Sequence, residues 1–338
     1  MYMLTLVFLV VLATAGTALV WVGSSQLEPA ADRLAVYYGL PMIVQGAVVV
    51  AIGSSMPELV AAVLAPLLHG DFDLGVAIII GSAIFNVLVI PALATLLTSG
   101  GIDANRALVY KEAQFYLIAV AVFLLMLSMA VIYFPVAGGD IRGQLTPLLA
   151  LGPLGLYVLY AFIQYQDTIE FEPIRSAEGI QVRRQWARFI GGFLLILIGV
   201  EGLLRAAIGF GELLGTPSFI WGLTIVAAAT SLPDALVSIR AAQHERDVTS
   251  LANVFGSNVF DLLVAAPAGV IVAGAVIVEF GRLAPLVGFL IVATIVLFAV
   301  LRTDFELSRR EAWVLIALYG VFLGGVFVDS IMGMSVIS

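Results

Sequence analysis

Along its 338 residues the chain alternates long apolar runs with short polar interruptions. Ten such runs can be drawn, over 3–23, 34–67, 74–97, 113–135, 145–163, 189–208, 217–241, 249–277, 284–301 and 312–333. About 20 apolar residues in a helix cross the hydrocarbon of a bilayer. The pattern therefore predicts an all-α polytopic membrane protein with about ten transmembrane helices. Ala13-Thr14-Ala15 looks like a signal-peptidase site, but no basic residue precedes it and the run continues to Gly23. The first run reads as a span and not as a cleaved leader.

Composition agrees with that pattern and narrows the function. Hydrophobic residues make up 62% and charged residues 11%, against about 45–50% and about 25% in soluble domains. There is no Cys, which excludes a disulfide scaffold, a thiolate metal site and a Cys nucleophile. The net charge of -8 speaks against a nucleic-acid partner, which calls for basic patches. Twelve of the 15 basic residues fall between spans 1 and 2, 3 and 4, 5 and 6, 7 and 8, or 9 and 10; Arg142, Arg205 and Arg282 fall on the other side. The positive-inside rule then puts both termini outside and the 164–188 loop in the cytoplasm, in a plasma (inner) membrane. That loop sets Asp167, Glu170, Glu172 and Glu178 against four arginines and reads as a solvated linker.

The two sides of the linker carry the same text. At an offset of 176, Gly39, Pro41, Gly46, Ser55 and Pro57 fall on Gly215, Pro217, Gly222, Ser231 and Pro233, and Glu58 falls on Asp234. After a one-residue gap, Gly81-Ser82-Ala83-Ile84-Phe85-Asn86 falls on Gly256-Ser257-Asn258-Val259-Phe260-Asp261. The chain divides into a first repeat (1–163, spans 1–5), the linker (164–188) and a second repeat (189–338, spans 6–10). Five spans per copy insert the second copy upside-down relative to the first. Inverted repeats are common in secondary transporters, whose substrates bind near the bilayer midplane where the repeats meet.

Glu58, Asp234 and Asp261 lie inside apolar spans. An ionised carboxylate at a helix centre costs roughly 2.5–3.5 kcal/mol on insertion scales, and spans 2, 3, 7 and 8 hold no Lys or Arg at comparable depth. A bound cation is the natural compensation. Pro57 and Pro233 lack an N–H and release backbone carbonyls. Gly53, Ser54 and Ser55 in one copy, and Thr230 and Ser231 in the other, add flexible backbone and hydroxyls. Ser82 with Asn86 and Ser257 with Asp261 are i, i+4 pairs on one helical face. An all-oxygen donor set suits hard cations such as Ca²⁺ or Na⁺, whereas zinc or copper would call for His or Cys.

The motifs GSSMPE…GSAIFN and ATSLPD…GSNVFD closely resemble the paired alpha repeats of the cation/calcium antiporter superfamily, the sodium/calcium exchangers. The resemblance runs over essentially the whole chain. It implies cation sites formed by spans 2, 3, 7 and 8, with Glu58 and Asp234 bridging a central calcium site and neighbouring sodium sites. Asn86 and Asp261 would be the polar members opposite them. Ser54, Ser55, Thr230, Ser231, Ser82 and Ser257, with carbonyls near Ala51 and Ala227, would complete sodium coordination. Spans 1 and 6 would slide across this core to alternate access, and no cofactor is implied. Asp234 where Glu is usual, with GSNVFD, looks more like the potassium-dependent branch, so K⁺ joins Ca²⁺ and Na⁺ as a candidate ion.

Two other functions stay open at this point. A Ca²⁺/H⁺ antiporter would use the same carboxylates to carry protons. An intramembrane aspartyl protease would use Asp234 and Asp261 as a dyad, but the only approach to its GxGD motif, Gly209-Phe210-Gly211-Glu212, involves neither Asp. His69 and His244 read as solvated loop residues, Asp71 and Asp73 as acids that could draw cations to the outer side, and Glu201 with Arg205 as a local ion pair.

Overall fold

The computed structural model describes residues 2–39, 51–98, 100–106, 108–137, 141–166 and 179–332, with backbone alone at 51–52 and 329–332. The first apolar run does not stop at Gly23. Helix α1 runs over Tyr2–Tyr37, because Leu27, Ala30, Ala31, Leu34 and Ala35 continue a buried helical face beyond the uniformly apolar part. At 1.5 Å per residue its 36 residues measure about 54 Å, well beyond a hydrocarbon thickness of about 30 Å. Arg33, expected in a loop, therefore lies in a helix, and residues 34–37 belong to α1 and not to a second span.

The second span is represented by α2 (Ala51–Ser54) and α3 (Met56–His69). Residues 40–50, with Pro41 and Gly46 of the repeat, lie outside the described residues. Then follow α4 (Phe72–Leu96), α5 (Leu108–Tyr133) and α6 (Pro147–Gln166). Helix α7 covers Val182–Leu214, longer at both ends than the expected 189–208, so Arg183, Arg184 and Arg188 also move from loop to helix. Span 7 is broken into α8 (Ser218–Thr230) and α9 (Leu232–Gln243), bent by 41°. Helices α10 (Asp247–Ala273), α11 (Phe280–Arg302) and α12 (Arg309–Met332) complete the chain. Among the described residues eight helices are long and apolar enough to cross a membrane, or nine with α8 and α9 counted as one broken span.

Short antiparallel ribbons tie the two halves together. Strand β1 (Ile102–Asp103) pairs with β4 (Glu306–Leu307), and β2 (Arg142–Leu145) pairs with β3 (Val276–Glu279) in the register Arg142 to Glu279. At the centre stand α4 and α10, whose most apolar stretches are 89% and 83% buried, against 17% for α1. These two helices carry the GSAIFN and GSNVFD segments, so the polar motifs sit in the deepest part of the protein.

Helices α1 and α7 pack backbone to backbone. A Cβ on Gly16 would lie 2.7 Å from the Gly199 carbonyl oxygen, and one on Gly23 would lie 2.7 Å from that of Gly192. Only glycine allows this approach, as small residues do generally between membrane helices. The repeat offset of 176 extends to these positions, mapping Gly16 onto Gly192 and Gly23 onto Gly199. Each contact is thus the image of the other, which is the symmetry of an inverted pair.

Candidate cation-binding site

Each broken span stops at a serine and restarts on a proline. Ser55 (φ −89°, ψ 12°) and Ser231 (φ −79°, ψ −3°) occupy the sparsely populated bridge region. Pro57 and Pro233 follow in the first turns of α3 and α9, where a missing N–H does no harm. By the i−4 rule the carbonyls left without a helical donor are those of Gly53 and Ala229. The Ala227 carbonyl, one of those expected near the sodium ligands, accepts from Ser231 N at 3.1 Å and from the Thr230 hydroxyl at 3.1 Å. Glu58 and Asp234 stand in the first turns of α3 and α9, where the helix dipole favours negative charge.

Ser54, Ser55, Glu58, Ser82, Asn86, Thr230, Ser231, Asp234, Ser257 and Asp261 are all fully buried. Within each repeat the α4 or α10 serine reaches the carboxylate of the broken span: Ser82 Oγ is 3.4 Å from Glu58 Oε1, and Ser257 Oγ is 3.0 Å from Asp234 Oδ1. Between repeats, Ser82 and Ser231 stand 2.7 Å apart and Ser54 and Ser257 3.3 Å apart. Ser231 also donates to Glu58 Oε1 at 3.4 Å. Ala51 is placed in the backbone of α2, beside this cluster in sequence.

The symmetry breaks at Asn86 and Asp261. Asn86 Nδ2 donates to Asp234 Oδ2 at 3.2 Å. The equivalent residue, Asp261, offers no hydrogen when ionised, and the charged groups acting on it are Glu58 and Asp234, both of its own sign. Both Asp261 carboxylate oxygens, Glu58 Oε2, Asn86 Oδ1 and Ser55 Oγ are buried without a hydrogen-bond partner. Unpartnered buried oxygens are costly, and here they converge on one region. Among the described residues no three acidic or histidine side chains gather as a metal-holding group. A cation held here would need hydroxyl, amide and carbonyl oxygens besides carboxylates, as hard ions accept.

Asn258 was not among the residues singled out from sequence, because its repeat equivalent is Ala83. Its Nδ2 donates to the Ala83 carbonyl and the Tyr116 hydroxyl, each at 3.1 Å, and its Oδ1 accepts from Asn86 at 3.0 Å. Glu28 lies beyond the 3–23 apolar run, which gives it no span in the sequence, yet it falls within α1. Its stem lies 3.4–3.5 Å from where a Cβ on Gly53 would stand.

The peripheral expectations fare differently. His69 is no loop residue: it ends α3, and its Nε2 lies 3.0 Å from Glu201 Oε2 on α7. Glu201 also takes Arg205 Nε at 2.6 Å, the expected pair. His244 is exposed just past α9. Asp71 caps α4 through Leu74 N at 2.9 Å and accepts from Ser218 at 2.7 Å, while Asp73 pairs with Arg282 at 3.7 Å. Both acids are thus engaged by the protein.

A multi-pass helical protein with two broken spans facing across a buried oxygen cluster belongs to the general class of membrane transporters. The family model described as sodium/calcium exchanger protein matches residues 8–166 and 184–328, and the chain belongs to that family. It is 27% identical to the sodium/calcium exchanger MaX1 of Methanosarcina acetivorans, covering 95% of this chain and 98% of that one. It is also 27% identical to rat sodium/potassium/calcium exchanger 1, over only 42% of this chain and 13% of that one. The fold matches structures of the sodium-calcium exchanger NCX_Mj, including one soaked with Na⁺ and Sr²⁺, with a TM-score of 0.65 and 23% identity over 94% of this chain and 98% of that chain.

Proposed function

We propose that this protein exchanges Na⁺ for Ca²⁺ across the membrane by alternating access, and that Glu58, Asp234 and Asp261 hold the ions. The observation that carries this reading is the buried Asp261 carboxylate, whose oxygens have no partner within hydrogen-bond distance, with the Ser55 and Ser82 hydroxyls nearby, and whose charged neighbours are two more acids. Positive charge must enter that cluster for the three to be ionised together. One Ca²⁺ or several Na⁺ each neutralise much of it, and shared carboxylates cannot serve both at once, which couples the fluxes. Asn86, Ser54, Ser55, Ser82, Ser257, Thr230 and Ser231 supply the remaining oxygens. Carbonyls near Ala51 and Ala227 add to these, and those of Gly53 and Ala229, which lack their proline-site helical donors, can join them.

In this reading 1–163 and 189–338 are the two inverted halves, joined by the 164–188 linker on the cytoplasmic side, with both termini outside. Asp234, one methylene shorter than Glu, favours K⁺ co-transport as a second reading, in keeping with the name of the rat relative. The test is ⁴⁵Ca²⁺ uptake into proteoliposomes under imposed Na⁺, K⁺ and H⁺ gradients. Exchange predicts Na⁺-dependent uptake that Glu58→Gln and Asp234→Asn abolish. Normal transport by both variants refutes the site, and uptake indifferent to Na⁺ but driven by H⁺ makes it a proton antiporter. Undiminished uptake in K⁺-free buffer removes K⁺ from the cycle.

A further inference from the structure

Glu28 is an acid on the membrane-crossing helix α1, outside the cluster of Glu58, Asp234 and Asp261. Its Cα, Cβ and Cγ lie 3.4–3.5 Å from the Cβ position of Gly53, one residue before Ser54. The charged groups acting on it are Asp234, Asp32 and Arg240, so Asp234 connects it electrostatically with the buried cluster. One turn earlier on the same face, Ser24 is 1% exposed and its hydroxyl has no partner. Pro29 follows Glu28 within α1 and has no N–H to give, which leaves the Ser25 carbonyl without its helical donor. A carboxylate and an unpartnered buried hydroxyl thus share one face of α1, with a released carbonyl on the adjoining, exposed face. These are the donors that a hard cation takes.

We propose that Glu28 is a further cation-ligating residue, a station at the mouth of the site toward the end of the α1–α7 pair that carries Arg33, Arg183, Arg184 and Arg188. There it passes Ca²⁺ or Na⁺ to and from Asp234, with the Ser24 hydroxyl as an additional ligand. The proposal rests on the exchange reading above. It differs from a plain Glu28–Arg240 ion pair in the sign of one effect: a cation station is hindered by Arg240, whereas an ion pair depends on it.

The experiment measures the half-saturating Ca²⁺ concentration of Na⁺-driven ⁴⁵Ca²⁺ uptake, at each membrane face separately, in right-side-out and inverted vesicles carrying the full chain. Glu28→Gln is expected to raise it by roughly tenfold or more, the worth of one charge-assisted contact, at the basic-residue face alone. Arg240→Gln is expected to lower it at that face. Equal shifts at both faces, or Glu28→Gln and Arg240→Gln shifting in the same direction, overturn the proposal. Should Glu28→Gln fail to assemble, Ser24→Ala serves: a one-sided rise supports the station, and an unchanged value at both faces refutes it. Failure of the exchange reading is distinct, because the unaltered protein would then show no Na⁺-driven uptake from either face.

Discussion

The side-chain oxygen of Asn258 accepts from the Asn86 amide at 3.0 Å, while its own nitrogen donates to the Ala83 carbonyl at 3.1 Å. A backbone carbonyl can only accept, so this bond fixes which way round the Asn258 amide sits. That in turn fixes Asn86, whose nitrogen serves Asn258 and Asp234 and whose oxygen is left buried and unpartnered. Asn258 is therefore a positioning residue for a candidate ligand.

Asn258→Leu keeps the volume and removes that bond. A hydrogen bond is worth about 0.5–1.5 kcal/mol, so the half-saturating Ca²⁺ concentration should rise roughly two- to twelvefold. Tyr116→Phe, which removes a partner one step further out, should move it in the same direction by less. Concentration-dependent Ca²⁺ uptake checks both. A fall in maximal rate with unchanged half-saturation would mean that Asn258 only supports packing.

The glycines between α1 and α7 make a prediction about equality. Leucine at Gly23 or at its repeat equivalent Gly199 would meet opposing backbone within 2.7 Å. Overpacking of this kind costs about 1–3 kcal/mol. Thermal unfolding in detergent should show both variants destabilised to a similar degree. Gly202→Ala, whose new Cβ would meet Leu12 Cδ1 at 3.5 Å and Gly16 Cα and the Leu12 carbonyl oxygen at 3.9 Å, all ordinary contacts, should leave the melting temperature almost unchanged.

Pro233→Ala returns an N–H to the break between α8 and α9. Pro233 is tolerated because the break places it in the first turn of α9, whereas in an unbroken helix it would be interior and cost about 3 kcal/mol; alanine lifts that penalty from the straight helix, which then competes with the 41° bend. The variant should be at least as heat-stable as the parent while transporting at least tenfold more slowly, roughly what a 1.4 kcal/mol bias toward one conformer produces. Parallel melting and flux measurements decide it, and normal flux would show that the bend is dispensable.

Much of this arrangement was legible in the sequence because its signals are local. Three carboxylates in apolar runs, each near Ser and two beside Pro, announce themselves without a fold. The ends of α1 and α7 were not legible from hydropathy alone. Ser24, Ser25, Gln26, Glu28 and Asp32 make the end of α1 look like a loop, although Leu27, Ala31 and Leu34 keep a buried face. Asn258 was passed over for a different reason: comparing the repeats highlights positions that match, and this one works by being unlike Ala83. The His69–Glu201 contact joins residues 132 apart in the chain, and nothing local in either segment foretells it.

The glycine contact between α1 and α7 is isologous, the kind by which identical subunits join about a two-fold axis. Its patch on one helix is the patch on the other, met in antiparallel order, Gly16 on Gly199 and Gly23 on Gly192. A gene for half of this chain would therefore encode a surface fit to bind a second copy of its own product, inserted the opposite way up. The segment between α6 and α7 then acts as a tether that fixes partnership and stoichiometry. A chain severed there would retain, in Gly16, Gly23, Gly192 and Gly199, the means to find its other half.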